Sequence, residues 1–321
     1  MATLLEVQNL KTYFYTTKGI VKAVDGVTFK LDKGEVLGLA GESGCGKSTT
    51  AYSLIRLVPP PGKIVGGKII FEGKNILELD DETFRKEYRW KKLSMVFQGA
   101  MNALNPVYTI GDQLAEVFML HEGLTKREAM PKVYELLEMV GIDPKRAKSY
   151  PHELSGGMKQ RVMIAMALAL NPPLVIADEP TTALDVVVQA QIMNLLKKLQ
   201  REKKISIILI THDLSLIAEI ADKVAIMYAG KIVEYGTAEQ IYLNPQHPYT
   251  QALLRSIPRL RGDISKLEWI PGTPPDLVAP PPGCRFAPRC KFRMDICTKE
   301  EPPVIEVEPG HYVSCWLYAK K

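Results

Sequence analysis

Apolar residues fall along this chain in short, nearly unbroken runs. Val36-Leu37-Gly38-Leu39-Ala40, Leu93-Ser94-Met95-Val96-Phe97, Leu174-Val175-Ile176-Ala177 and Ile205-Ser206-Ile207-Ile208-Leu209-Ile210 have the look of strands buried on both faces of a parallel sheet. Between them the period changes. Val133, Leu136, Leu137 and Val140 share one face of a helix, as do Ile192, Leu195, Leu196 and Leu199. Ser48 to Leu57 also reads as a helix, and residues 106–170 as largely helical. Residues 4–34 alternate and carry turn signals at Asp25-Gly26 and Asp32-Lys33-Gly34, which predicts several short strands. Lys68 to Phe71 predicts another strand, turning at Glu72-Gly73; Lys223 to Gly236 predicts a hairpin turning at Ala229-Gly230. The sum is an α/β fold with a mostly parallel sheet and an antiparallel β subdomain.

The loops at the strand ends carry the chemistry. Gly41-Glu42-Ser43-Gly44-Cys45-Gly46-Lys47-Ser48-Thr49 follows the first buried run and opens a helix, matching G-x-x-x-x-G-K-[ST]. Its glycines let backbone N–H groups converge on an anion, and the helix N-terminus adds positive charge. Lys47 is expected to reach the β- and γ-phosphates and Ser48 to ligate Mg²⁺, with Gly41, Ser43, Gly44, Cys45, Gly46 and Thr49 completing the cradle. The run at 174 ends in Asp178-Glu179, where carboxylates face the ligand crevice of a parallel sheet. Asp178 is placed to hold Mg²⁺ through water, and Glu179 to orient or deprotonate an attacking water. Thr211-His212-Asp213 follows the run at 205, putting His212 at the same sheet end as Asp178, where a γ-phosphate contact is needed. Gln98 closes the run at 93, within reach of Mg²⁺ or that water. More than a hundred residues after the first loop, Leu154-Ser155-Gly156-Gly157-Met158-Lys159-Gln160 sets a glycine pair at a helix start, with Ser155 as N-cap. This is a second anion site.

Composition bounds the rest. At 321 residues the chain suits one large and one small domain. The net charge of +5 is spread along it, and the densest run, Arg85 to Lys92, mixes in an acid and aromatics. That is a solvated face, and no nucleic-acid partner is expected. No apolar stretch reaches the ~18 residues of a membrane span, and Met1 to Glu6 lacks a signal-peptide pattern. The chain is therefore expected in the cytoplasm, meeting membranes through partners.

Together these residues resemble the ATP-binding subunits of ABC transporters, over residues 4–245. The resemblance makes Gly41 to Ser48 the P-loop, Gln98 the Q-loop glutamine, and Ser155, Gly156 and Gly157 the phosphate-facing part of the signature. Asp178 matches the Walker B acid, Glu179 the catalytic glutamate, Asp185 in Ala183-Leu184-Asp185 the D-loop, and His212 the switch histidine. The aromatic that stacks on adenine falls at Phe14, between Tyr13 and Tyr15. His247-Pro248-Tyr249-Thr250-Gln251-Ala252-Leu253-Leu254 and Gly283-Cys284-x-Phe286-x-Pro288-Arg289-Cys290 narrow the resemblance to peptide and nickel importer ATPases, nearest the dipeptide/oligopeptide group.

The resemblance implies a P-loop ATPase core at 1–245, with a helical signature subdomain near 99–170, and a small cysteine-containing extension at 246–321. It implies ATP and Mg²⁺ as ligands, and two nucleotides sandwiched between two subunits, the second a non-identical paralogue. Two integral membrane permease subunits are implied as partners, and indirectly an extracytoplasmic peptide-binding protein. The chain would sit on the cytoplasmic face of the cell membrane. Rival readings are a soluble ABC ATPase acting on DNA or ribosomes, which typically needs a long coiled coil or two cassettes, and an ATPase of iron–sulfur assembly, which is generally shorter.

Four of the five cysteines, Cys284, Cys290, Cys297 and Cys315, follow a proline-rich stretch from Pro271 to Gly283. Disulfides are not expected in a cytoplasmic ATPase. The spacing C-x₅-C-x₆-C-x₁₇-C lacks the paired C-x₂₋₄-C of structural zinc. A [4Fe–4S] cluster takes four cysteines at wider spacing and is what the resemblance implies, with zinc and unliganded thiols as alternatives. Its role is expected to be structural.

Overall fold

The computed structural model describes residues 2–256 and 270–319. In chain order the elements are β1 (Thr3–Thr16), β2 (Gly19–Asp32), β3 (Val36–Ala40), α1 (Lys47–Leu54), β4 (Gly62–Phe71), β5 (Lys74–Asn75), α2 (Asp81–Thr83), β6 (Leu93–Val96), α3 (Ile110–Glu122), α4 (Lys126–Met139), α5 (Gly156–Leu168), β7 (Leu174–Asp178), α6 (Val186–Lys203), β8 (Ser206–Ile210), α7 (Leu214–Ile220), β9 (Lys223–Tyr228), β10 (Lys231–Thr237), α8 (Ala238–Leu243), α9 (Pro248–Arg255), β11 (Val304–Glu308) and β12 (His311–Ser314). They form two compact units, one from Met1–Leu77 with Thr211–Lys321, the other Glu78–Ile210. Among the described residues no helix is long and apolar enough to cross a membrane.

The first unit holds two sheets. One runs β2-β1-β4-β5, with β1 antiparallel to both β2 and β4. The expectation of several short strands over 4–34 is corrected here: two 14-residue strands pair along their length. Asp25-Gly26 is not a turn but a bulge, where the register shifts from Leu10 opposite Val27 to Lys11 opposite Asp25. Leu5, Val7 and Leu10 of β1 and Val24, Val27 and Leu31 of β2 are fully buried. Each such side chain contributes roughly 1.5–3 kcal/mol relative to exposure. The other sheet runs β11-β12-β10-β9-β3, with β3 parallel to β9. β9 and β10 join at Ala229-Gly230, both in the left-handed region that a two-residue hairpin turn requires. On the far side of β10, Glu234 and Tyr235 pair with Val313 and Tyr312 of β12. The cysteine-bearing extension thus adds its own hairpin to this sheet.

In the second unit three parallel strands run β8-β7-β6, with Val175 opposite Ile207 and Ser94 on either side. β7 and β8 are buried end to end, as their unbroken hydrophobicity predicts. Val133, Leu137 and Val140 are fully buried and Leu136 nearly so; Ile192, Leu196 and Leu199 bury the same face of α6. The helix starts are capped by Thr109, Thr125, Ser155 and Asp185, each accepting a backbone N–H of the first turn.

Candidate active site

In the first unit β3 is wholly buried, so its carboxyl end delivers the chain to the P-loop in a fixed position. Gly41 and Gly46 lie at φ +151 and +105, and a methyl group on either would meet a backbone oxygen, of Met227 at 2.1 Å or Ala23 at 2.2 Å. Only glycine fits both the dihedral and the space. Lys47 is 6% exposed. Its Nζ donates to the carbonyls of Gly41 (2.8 Å) and Glu42 (3.0 Å) and contacts Cys45 Sγ at 3.7 Å, so the ammonium folds back into its own loop. Burial pushes the Cys45 thiol up, leaving a neutral sulfur beside that cation. Ser48 and Thr49 open α1 half-exposed, and Ser43 and Gly44 are exposed.

The three candidate adenine aromatics differ in their surroundings. Phe14 stands opposite Gly62, its ring 2.7 Å from where a side chain there would begin. Tyr13 donates its hydroxyl to Asp25 Oδ1 at 2.7 Å, and burial with that carboxylate pushes the phenol up to about 12. Tyr15 is 46% exposed, the most open of the three. His212 is exposed just beyond Thr211, whose hydroxyl accepts the Asp213 N–H at 3.0 Å.

In the second unit β7 ends in Asp178, which is fully buried. The next residue, Glu179, turns sharply, with φ +45 in a region a non-glycine residue seldom adopts. Its N–H donates to the Ile210 carbonyl at 2.8 Å. Its Oε2 accepts from Gln98 Nε2 at 3.1 Å and from Thr182 Oγ1 at 2.8 Å. Gln98 and Glu179, 81 residues apart in sequence, are therefore brought together. A left-handed residue at the end of a buried strand, fixed by two side-chain donors, aims a carboxylate where a single sequence position could not. Thr182 was not foreseen, and its place three residues after the acid pair is the signal that could have found it.

The signature begins at Ser155, whose Oγ accepts the Met158 N–H at 3.3 Å. Gly157 lies so close to α6 that a Cβ would stand 2.6 Å from Val188 Cγ1, while Gly156 has ordinary contacts with Leu184 and Met101. Asp185 accepts the Val188 N–H at 2.9 Å, so its carboxylate caps α6 whatever else it does.

The four cysteines of the extension line one small cavity, with His247, Phe286 and Trp316. Among the described residues no group of three or more histidine, cysteine, aspartate or glutamate side chains is drawn into a metal-binding arrangement. The donor set nevertheless suits a thiophilic metal. Burial, then neighbouring thiolates, push Cys284 up to about 11 and Cys315 up to about 12. Backbone N–H groups of Phe286 and Ala287 are directed at Cys284, that of Phe292 at Cys290 and that of Leu317 at Cys315. Cys284, Cys290 and Cys315, whose thiols burial makes resist ionisation and which peptide N–H groups meet, crowd with Cys297 into a pocket that a cation would relieve.

Three charged residues in or against the extension had no role assigned from the sequence. Arg285 donates to the Ala229 carbonyl and to Asp25 Oδ2. Arg289 forks onto Glu42 of the P-loop, Nη1 to Oε2 at 2.7 Å and Nη2 to Oε1 at 3.0 Å. Glu234, wholly buried, accepts from the Gln246 and His247 N–H groups and bonds His311 Nε2 at 2.8 Å.

The ABC transporter family matches residues 24–182, and the oligopeptide/dipeptide transporter C-terminal region matches residues 233–297. The chain is 51% identical to the dipeptide transport ATP-binding protein DppD of Bacillus subtilis over 320 residues, 99% of this chain and 95% of that protein. It is 49% identical to the oligopeptide transport ATP-binding protein OppD of Escherichia coli over 315 residues, 98% and 93% of the two chains. Among solved structures, the dimeric structure of MJ0796, a bacterial ABC transporter cassette, matches with a TM-score of 0.65 at 30% identity, covering 73% of this chain and 99% of that one. CbiO1 from Clostridium perfringens, part of an ABC transporter complex, matches at 0.66 and 28%, covering 76% and 92%. The phosphate loop, the acid pair closing β7, the glycine-led α5 and full-length identity near one half place this chain in the family of ABC transporter ATP-binding subunits, within the branch that bears the oligopeptide/dipeptide transporter C-terminal region.

Proposed function

We propose that this ABC ATPase powers the import of di- or oligopeptides through a membrane transporter. The observation that carries this is full-length likeness to proteins of dipeptide and oligopeptide transport, extension included. Lys47 would leave its loop carbonyls for the β- and γ-phosphates, and the P-loop N–H groups would take up the remaining charge. Ser48, Asp178 and Gln98 would hold magnesium, which neutralises phosphate charge. Glu179, steadied by Gln98 and Thr182, would accept the proton of the attacking water, with His212 at the γ-phosphate. Ser155, Gly156, Gly157 and Asp185 would face the nucleotide of a second subunit, a non-identical paralogue, so that ATP closes the pair and hydrolysis reopens it. Phe14 would stack on adenine.

The permease subunits and, through them, an extracytoplasmic peptide-binding protein complete the transporter, with this chain on the cytoplasmic face of the membrane. Cys284, Cys290, Cys297 and Cys315 would hold a [4Fe–4S] cluster as a structural staple of the extension. Co-purification from a mild detergent extract tests the transport reading: two integral membrane proteins and a second ATPase are expected to accompany this chain. Recovery with ribosomes or with iron–sulfur assembly proteins instead would refute it. Anaerobically purified chain is expected to be brown, with about four irons per chain; colourless protein with one zinc would replace the cluster while keeping the staple.

A further inference from the structure

We propose that Arg289, carried by the cysteine-bearing extension, is a positioning residue for ATP: it fixes and neutralises Glu42, the second residue of the phosphate loop.

Glu42 is held at three points. Its carbonyl accepts Lys47 Nζ at 3.0 Å, its N–H donates to the Tyr249 hydroxyl at 2.9 Å, and its carboxylate takes both arms of the Arg289 guanidinium. Two of these three anchors come from beyond residue 245. Arg289 is itself buried, with its side chain 5% exposed. Its Nε donates to the Pro271 carbonyl at 2.8 Å and its Nη1 to the Tyr228 hydroxyl at 3.2 Å. Its guanidinium carbon lies 5.7 Å from the centre of the Tyr228 ring, which packs on Tyr249 and Phe286. A planar fork held on several sides fixes a carboxylate in direction as well as distance.

The consequence lies in what the loop must receive. A phosphate loop binds because its N–H groups already point at the anion, and a carboxylate within it opposes a polyanion unless it is paired. Arg289 supplies the pairing and sets the loop's second residue in place. The arginine in turn sits in a tight turn, Ala287–Arg289, flanked by Cys284 and Cys290, in which the Ala287 N–H bonds the Cys284 carbonyl and the Cys290 N–H the Ala287 carbonyl. The extension is then part of the nucleotide site's support.

The test measures ATP affinity of the full chain by isothermal titration, with circular dichroism confirming the fold. Arg289→Gln is expected to raise the dissociation constant about tenfold, as truncating the buried partner of a part-buried charge pair leaves the other unpaired. Glu42→Gln added to it removes the stranded carboxylate and is expected to restore affinity to within about threefold of the parent. A purely structural arginine, holding Pro271 and the extension, predicts no such rescue. An unchanged dissociation constant in R289Q, or a double variant as weak as the single, overturns the proposal. If R289Q does not fold, Arg289→Lys carries the test: it keeps the charge and loses the fork, so about threefold weaker binding supports the proposal and parental affinity overturns it. The inference rests on the P-loop as the nucleotide site, and Lys47→Ala is the control. Should that variant bind ATP like the parent, the P-loop reading fails and not the role of Arg289.

Discussion

Replacing Glu179 by glutamine separates chemistry from architecture at one atom. The carboxylate's Oε2 accepts two hydrogen bonds, from Gln98 and Thr182, and an amide oxygen in the same place accepts both. What is lost is the charge assistance of those bonds, about 1 kcal/mol in total for partly exposed partners. For a domain of this size that is a fall in melting temperature of about 2–4 °C. The glutamine has no basic oxygen to take a proton. Loss of a positioned general base costs about 10²- to 10⁴-fold in rate, or roughly 2.7–5.4 kcal/mol of barrier. The effect on turnover is thus expected to exceed the effect on stability severalfold. With the partner ATPase subunit present and Mg-ATP saturating, phosphate release at this chain's site should fall a hundredfold or more, ATP affinity should hold, and the ATP-bound pair should accumulate on size-exclusion chromatography. Turnover within threefold of the parent, or a loss that merely follows the unfolded fraction, would refute the assignment.

Lys47→Ala is expected to abolish measurable ATP binding, because the triphosphate loses its buried counter-charge; titration calorimetry reads it directly. Ser155→Arg should leave ATP binding intact and stop dimer closure, since it adds a long cation where the signature helix begins; a variant that both binds and dimerises normally argues against a signature role. Gly157→Ala drives a methyl to 2.6 Å from Val188 and should cost about 1–3 kcal/mol by overpacking, seen as a lower melting temperature with unchanged ATP affinity. His247 predicts a pH effect. Burial holds its imidazole down to about 4, and its Nδ1 accepts the Tyr249 N–H at 3.0 Å to cap α9. A group whose folded pKa is depressed stabilises fully above its unfolded value near 6.5 and loses that stability as pH falls toward 4, here on the order of 3 kcal/mol. His247→Asn keeps the cap without the titration, so its melting temperature should fall less than the parent's between pH 7 and pH 5; parallel curves would exclude this.

The parallel strands were legible because each is buried on both faces, which leaves an unbroken apolar run. Ser155 was legible as a cap because capping is local. The 4–34 region was misread because Asp25-Gly26 has turn chemistry yet sits in a bulge, and only the partner strand β1 decides between the two. Nor could any period or spacing connect Arg289 with Glu42, 247 residues apart, or Arg285 with Asp25. These pairs exist because the extension runs back against the first strands before it reaches β12, the Leu277 carbonyl accepting the Lys22 N–H of β2 at 3.0 Å. The strain at Glu179 was likewise invisible, since nothing in Ala177-Asp178-Glu179-Pro180 announces a left-handed residue.

Arg285 also constrains anyone who would exchange parts between proteins of this kind. It binds the hairpin turn at Ala229 and the Asp25 carboxylate, which in turn accepts the Tyr13 hydroxyl beside Phe14. The extension and the first two strands are therefore matched halves of one interface, far apart along the chain. A chimera cut near residue 245 and joined to a parent lacking the matching residue strands a half-buried acid on the amino-terminal part or a buried guanidinium on the other. Swaps that keep Asp25 and Arg285 from the same parent should fold where mixed ones do not, and recombination within the family is under the same rule.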